Sequence, residues 1–321
     1  MGTFKVKSIL PIDGLKEGDS LPESDYAISS SKNFVQFEYI EEVERTEEFR
    51  VHPGVFTIKR EMQKLTLERT SFVKDEILDS FVHTKHIENK IDCFFNKFDV
   101  YKKFGIEIPK RNILLYGPPG TGKSTAISKI VDKYTSDKKT LVVVYHTDSF
   151  DAGEVKDFIK SFTYQNVEKL ILIMEDIGGV EVDQVRVRSD SSLLSLLDNN
   201  EKAFKIPTLV ISTTNHPEVF LGNLTNRPGR FDDKIEVGFP NSEQRIKLLE
   251  FFLKEQIPIS IQSIVSKSQF DDFSPAHIKE CVIRSAIYDR PLENIIKEMK
   301  EEIDQYKQAF QKKKAMGLSD F

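Results

Sequence analysis

A parallel α/β fold over the middle of the chain is predicted by three observations. Five apolar runs, Asn112–Tyr116, Thr140–Tyr145, Lys169–Met174, Thr208–Thr213 and Lys234–Val237, have the length and composition of buried strands. Helical stretches alternate with them, the order that builds a parallel sheet. The first run leads through a glycine-rich loop straight into a helix. The expectation is a parallel five-stranded sheet that binds its ligand at the carboxyl ends of the strands.

Changes of texture near residues 84 and 240 divide the 321 residues into an N-terminal region (residues 1–84), an α/β region (85–240), a helical region (241–311) and a tail (312–321). Loop-forming Gly, Pro and Ser run to about Lys32, and Phe34–Ile40, Gly54–Ile58 and Leu65–Arg69 follow with strand character. A small, mostly β domain is expected there, with a substrate- or adaptor-binding role. In the helical region, Asn241 and Ser242 can cap a helix with Leu249, Phe252 and Leu253 on one face. Ser274-Pro275 opens a second helix, which gathers Ile278, Cys281, Val282 and Ser285 on one side. Cys281 reads as core filling. Ile296, Met299, Ile303, Tyr306 and Phe310 form one apolar stripe on a last helix, expected to pack within this C-terminal helical lid. Lys312-Lys313-Lys314 reads as a solvated helix end, and Gly317–Phe321 as a frayed one.

Composition narrows the function classes. With 39% hydrophobic and 30% charged residues the chain can bury a full core, and no apolar run approaches the roughly 20 residues of a membrane-spanning helix. Cys93 and Cys281 are too far apart for a zinc or redox motif and provide no disulfide framework. Met1-Gly2 is followed by Val6 where a myristoylation signal has Ser or Thr. A cytoplasmic protein without membrane contact is expected. A formal charge of −5 disfavours a broad nucleic-acid surface.

The chemistry is concentrated in three motifs. Gly117-Pro118-Pro119-Gly120-Thr121-Gly122-Lys123-Ser124, followed by Thr125, satisfies the eight-position phosphate-loop pattern in its required context, after a strand and before a helix. Glycines let backbone amides turn inward around a phosphate, and the start of the helix favours the anion. Lys123 is expected to bridge two phosphates, and Ser124 to offer its hydroxyl to Mg2+. The strand Leu170–Met174 runs into the second motif, Glu175-Asp176, an order exchanged from the common Asp-Glu. Glu175 is read as the metal-side acid and Asp176 as the base; the opposite register, with Asp176 on the metal, stays open. Asp is shorter than Glu by about 1.5 Å, so the attacking water must be placed differently. The third motif is Ile211-Ser212-Thr213-Thr214-Asn215, a strand run that ends on a polar amide able both to donate and to accept.

With these motifs the chain resembles the AAA family of ATPases over about residues 85–290. The resemblance implies an oligomeric, hexamer-like ring that hydrolyses ATP with Mg2+. It makes Asn215 the polar sensor, and Arg227 and Arg230 of Asn226-Arg227-Pro228-Gly229-Arg230-Phe231-Asp232 the arginine fingers that reach into the next subunit's site. The exchanged acids and Arg227–Arg230 are most similar to the branch containing the mitochondrial translocase of the Rieske iron-sulfur subunit, without its membrane anchor.

The resemblance implies a protein partner that the ring remodels, unfolds, disassembles or translocates. Phe150 lies where such rings carry a pore-loop aromatic, or else it packs into the sheet; a second pore loop or an ordinary loop lies between Gly178 and Ser189. Alternative readings are a DNA-processing ATPase of the clamp-loader or helicase-loader kind, and a slow nucleotide-switched scaffold.

Overall fold

The structure, a computed structural model, describes residues 3–5, 34–36, 38–40, 49–61, 64–70, 82–146, 152–177, 193, 196–198, 204–217, 230–253, 270 and 272–315. Contacts divide the chain into two compact units. The first comprises Met1–Ile77, Lys85–Gly117 and Lys123–Glu236, and the second Leu78–Thr84, Pro118–Gly122 and Val237–Phe321.

The described strands are β1 (Thr3–Lys5), β2 (Phe34–Gln36), β3 (Glu38–Ile40), β4 (Phe49–Val51), β5 (Gly54–Glu61), β6 (Lys64–Arg69), β7 (Lys110–Tyr116), β8 (Thr140–His146), β9 (Phe162–Tyr164), β10 (Lys169–Glu175), β11 (Thr208–Thr214) and β12 (Asp233–Glu236). The described helices are α1 (Val82–Asn96), α2 (Phe98–Lys103), α3 (Lys123–Thr135), α4 (Ala152–Lys160), α5 (Ser242–Leu253), α6 (Pro275–Ile287) and α7 (Leu292–Ala315).

The main sheet of the first unit has the order β12-β7-β11-β10-β8-β5-β6-β2. Its first five strands are the five expected from the sequence, and they run parallel. The expected strand count is nevertheless too low, because the sheet has eight strands. β5 pairs parallel to β8 in the register Val55↔Val142, and β6 and β2 follow antiparallel. These N-terminal strands therefore extend the main sheet. The physical reason is the edge of β8: its TLVVVYH sequence is buried in all but its last residue, which a sheet edge left open to water would not permit. The run Phe34–Ile40 also divides, with Phe34–Gln36 joining the main sheet and Glu38–Ile40 pairing with β1.

Burial on both faces explains the near-continuous apolar character of the central strands. All seven residues of β11 are buried, and β10 is buried from Leu170 to Met174. Leu114, Val143, Leu172, Val210 and Phe158 share the core of this unit. At the margin, Asp233 binds both Arg111 (2.7 Å) and Lys90 (2.9 Å). Burial pushes its carboxyl upward, and the hydrogen bonds from Arg111 and Lys90 reverse that effect and hold it below the usual range.

The second unit is built on α5, α6 and α7 around Leu249, Phe270, Phe273, Ile278, Cys281 and Ile296. Burial raises the Cys281 thiol to about 12, which keeps it an unreactive core group. Ser274 caps α6: its Oγ accepts from the amide of His277, and His277 Nδ1 accepts from the amide of Ser274. The stripe on α7 is buried at Ile296 and Met299, but Tyr306 is 76% exposed, since the 24-residue α7 is longer than the 13-residue α6 on which it packs. α7 continues to Ala315, past the expected start of a tail at 312. Among the described residues, no helix is long and apolar enough to cross a membrane.

Candidate nucleotide site

Three neighbouring strands, β7, β11 and β10, deliver the expected site residues to one edge of the sheet. They pair in parallel, in the registers Thr214↔Tyr116 and Ser212↔Met174, so Gly117, Asn215 and Asp176 all follow carboxyl ends. The amide of Gly117 donates to the carbonyl of Thr214 at 3.3 Å, which ties the start of the glycine-rich loop to β11.

Lys123 begins α3 and is only 7% exposed. Its Nζ donates to the carbonyl of Gly117 at 2.7 Å, so the ammonium is folded across the base of the loop. Burial lowers its pKa, and the charge of Asp176 works in the opposite direction. Ser124 is exposed and Thr125 half-buried on the first turn of the same helix.

Asp176 is the most constrained acid of the site. Its φ is +52°, in the left-handed region where Asp is tolerated better than longer side chains. Its amide donates to Thr213 Oγ1 at 2.9 Å, the next amide, Ile177, donates to the Thr213 carbonyl at 2.8 Å, and Asn215 Nδ2 donates to Asp176 Oδ1 at 2.9 Å. Thr213 and Asn215 therefore grip the backbone and the carboxylate together. The exchanged acid order has a local cause here: the position after β10 is left-handed, and the shorter acid fits it. Glu175, the last residue of β10, is half-buried, with Oε2 3.7 Å from Nδ1 of His146, its register partner on β8.

Sequence reasoning missed Thr213 and His146. Thr213 lay inside the motif that identified Asn215 and read as strand interior, while His146 ends its strand in register with Glu175, a relation visible only once the strands are paired. Within the second unit, Thr121 Oγ1 donates to the Pro118 carbonyl at 2.8 Å, and the Ala276 amide donates to the Gly120 carbonyl at 3.3 Å. Gly120 has φ +73°, and a Cβ there would lie 2.8 Å from Ser274 Oγ and 3.0 Å from Ala276 Cβ. Only glycine suits this position.

The family model for the "ATPase family associated with various cellular activities (AAA)" matches residues 113–239, which contain all of the first-unit groups just described. The chain carries an AAA ATPase domain. The chain is 29% identical over 179 residues to the human ATPase family gene 2 protein homolog A, covering 53% of this chain and 20% of that protein. It is 27% identical over 203 residues to the probable 26S proteasome regulatory subunit 10B of Caenorhabditis elegans, covering 59% and 48%. It is 28% identical over 206 residues to the cell division cycle protein 48 homolog of Archaeoglobus fulgidus, covering 62% and 26%. The chain thus spans less than half the length of each of these relatives.

The AAA domain does not bring Arg230 to the edge that carries Lys123. Arg230 precedes β12, at the opposite ends of the strands, and is 7% exposed, with Nε 3.8 Å from Asp198 Oδ1. Arg227, Phe150 and the segment from Gly178 to Ser189 lie outside the described residues. No cluster of three or more His, Cys, Asp or Glu side chains occurs among the described residues. Mg2+ needs no such cluster, since it prefers oxygen and takes few protein ligands beside phosphate and water; the Ser124 hydroxyl and the Glu175 carboxylate fit that donor set.

Proposed function

We propose that this chain hydrolyses Mg-ATP as one subunit of a hexamer-like ring and uses the energy to remodel a protein partner in the cytoplasm. The observation that carries the reading is Asp176, fixed by Thr213 and Asn215 on the same edge of the sheet as the lysine of the phosphate loop. Nucleotide is held by the loop from Gly117 to Thr125, with Lys123 leaving the Gly117 carbonyl to meet phosphate oxygens. Ser124 and Glu175 hold Mg2+, which neutralises phosphate charge when bound. Asp176 accepts a proton from the attacking water, and Asn215 orients that water and the carboxylate together. Arg227 and Arg230 of the neighbouring subunit offset charge on the transferred phosphoryl group, a contribution on the order of 10³ to 10⁵ in rate. Because Arg230 and Lys123 stand at opposite ends of the strands, a protomer does not place Arg230 at its own site, and a head-to-tail ring supplies it from the neighbour.

Relatives named as proteasome regulatory subunits and as a cell division cycle 48 homolog support a protein as the substrate class. The exchanged Glu175-Asp176 pair supports placement near the Rieske-translocase branch. The test is ATP turnover in the presence of an unfolded protein, single-stranded DNA or double-stranded DNA. Stimulation by the unfolded protein is expected; stimulation by DNA alone, lost at high salt, would assign the chain to nucleic-acid work instead.

A further inference from the structure

Asn112 is a fully buried polar residue on β7, the strand that leads into the phosphate loop and lies next to the edge strand β12. Its side-chain amide donates twice, to the carbonyl of Leu197 at 2.8 Å and to the carbonyl of Arg230 at 2.6 Å. Its backbone holds the same segment: the Asn112 amide donates to Asp232 Oδ2 at 2.8 Å, and the Asp232 amide donates to the Asn112 carbonyl at 2.9 Å. Leu197 adjoins Asp198, the carboxylate beside the Arg230 guanidinium. Lys110, two residues earlier, donates to the carbonyls of Leu196 (2.5 Å) and Asp198 (3.4 Å). One end of β7 therefore fixes the backbone on both sides of the Arg230–Asp198 pair, and the other end continues into Gly117.

The side-chain carbonyl Oδ1 of Asn112 is buried without a hydrogen-bond partner, an unfavourable feature that an apolar residue in the same place would avoid. What an apolar residue would lack is the pair of N–H donors. We infer that Asn112 is a positioning residue for Arg230: it fixes the finger's backbone from within its own protomer while the guanidinium, buried beside Asp198 in the single chain, turns outward to act on the neighbour's ATP. This rests on the reading of Arg230 as a finger in trans. The stretch from Asn112 to Gly117 then makes β7 a short rigid connection between a protomer's own nucleotide loop and the arginine it presents.

The experiment uses Asn112→Ala and Asn112→Leu, which is close in volume, stays uncharged and loses both donors. Each is purified alone and co-expressed with Lys123→Ala, and the Arg230→Ala plus Lys123→Ala pair is the reference. Both Asn112 variants should bind a fluorescent ATP analogue as the wild type does and lose about 100-fold in turnover, the scale of a misplacement of about 1 Å. Co-assembly with Lys123→Ala should restore turnover at least about tenfold over either variant alone, because intact sites then face intact fingers. A merely structural role for Asn112 would not be complemented. Wild-type turnover in both variants, loss of nucleotide binding, or complementation in the reference pair without complementation for Asn112 would overturn the inference. Failure of the reference pair itself would overturn the finger reading on which it rests.

Discussion

Asn215 donates its side-chain amide to Asp176 at 2.9 Å, joining the end of β11 to the acid that follows β10. The two residues are 39 positions apart in the chain and meet because β10 and β11 are parallel neighbours. Replacing Asn215 with Ala removes a hydrogen bond that orients the Asp176 carboxylate. Turnover should fall about 100-fold, the usual effect of removing one preorganised donor, with little change in KM for ATP. Steady-state kinetics over a range of ATP concentrations checks this.

Asp176→Glu restores an acid of the common length and should still fail. The left-handed backbone at φ +52° penalises a longer side chain by about 1 kcal/mol, and the extra carbon moves the carboxylate off Asn215. Turnover should drop at least about tenfold while ATP remains bound. Wild-type turnover in this variant would show that the exchanged order has no local structural cause.

Thr213→Val keeps the shape of the strand but removes the acceptor for the Asp176 amide. The bond is part-buried, so its loss costs about 1 kcal/mol; both thermal stability and turnover should fall, and Thr213→Ser should recover most of each. Denaturation scans of the two variants measure the difference directly.

The regions of the molecule that were legible in the sequence are those in which local chemistry and tertiary position coincide. The phosphate loop is one such case, since Gly120 must accept a positive φ and Lys123 must follow it whatever else the chain does. The five parallel strands are another, because burial on both faces leaves a continuous apolar run. Partner choice between strands was hidden. β5 and β6 have ordinary strand sequences, and only the need to cover β8 assigns them to the main sheet. The same limit concealed Asn112, whose value lies in reaching Leu197 and Arg230, 85 and 118 residues away.

In the second unit, Asp272 is a carboxylate held well below its usual range. Hydrogen bonds from Lys300 and Lys307 lower it from 3.8 to about 2. A depressed carboxylate contributes stability that is complete above its unfolded pKa and is lost as pH falls through the folded one. Thermal scans should therefore find Asp272→Asn less stable than the wild type at neutral pH, with the gap closing between about pH 4 and about pH 2. All three side chains are partly exposed, so high salt should also narrow the gap.

The central claim, that a protomer lacks half of its catalytic site, is tested most directly by ATP turnover per protomer measured against protein concentration, with assembly followed in parallel by light scattering. Turnover should be close to zero where the protein is monomeric and rise with the assembled fraction, and the Arg230→Ala protein should assemble and bind ATP yet stay near the monomer rate. A monomer that turns over ATP as fast as the assembled protein would contradict the account.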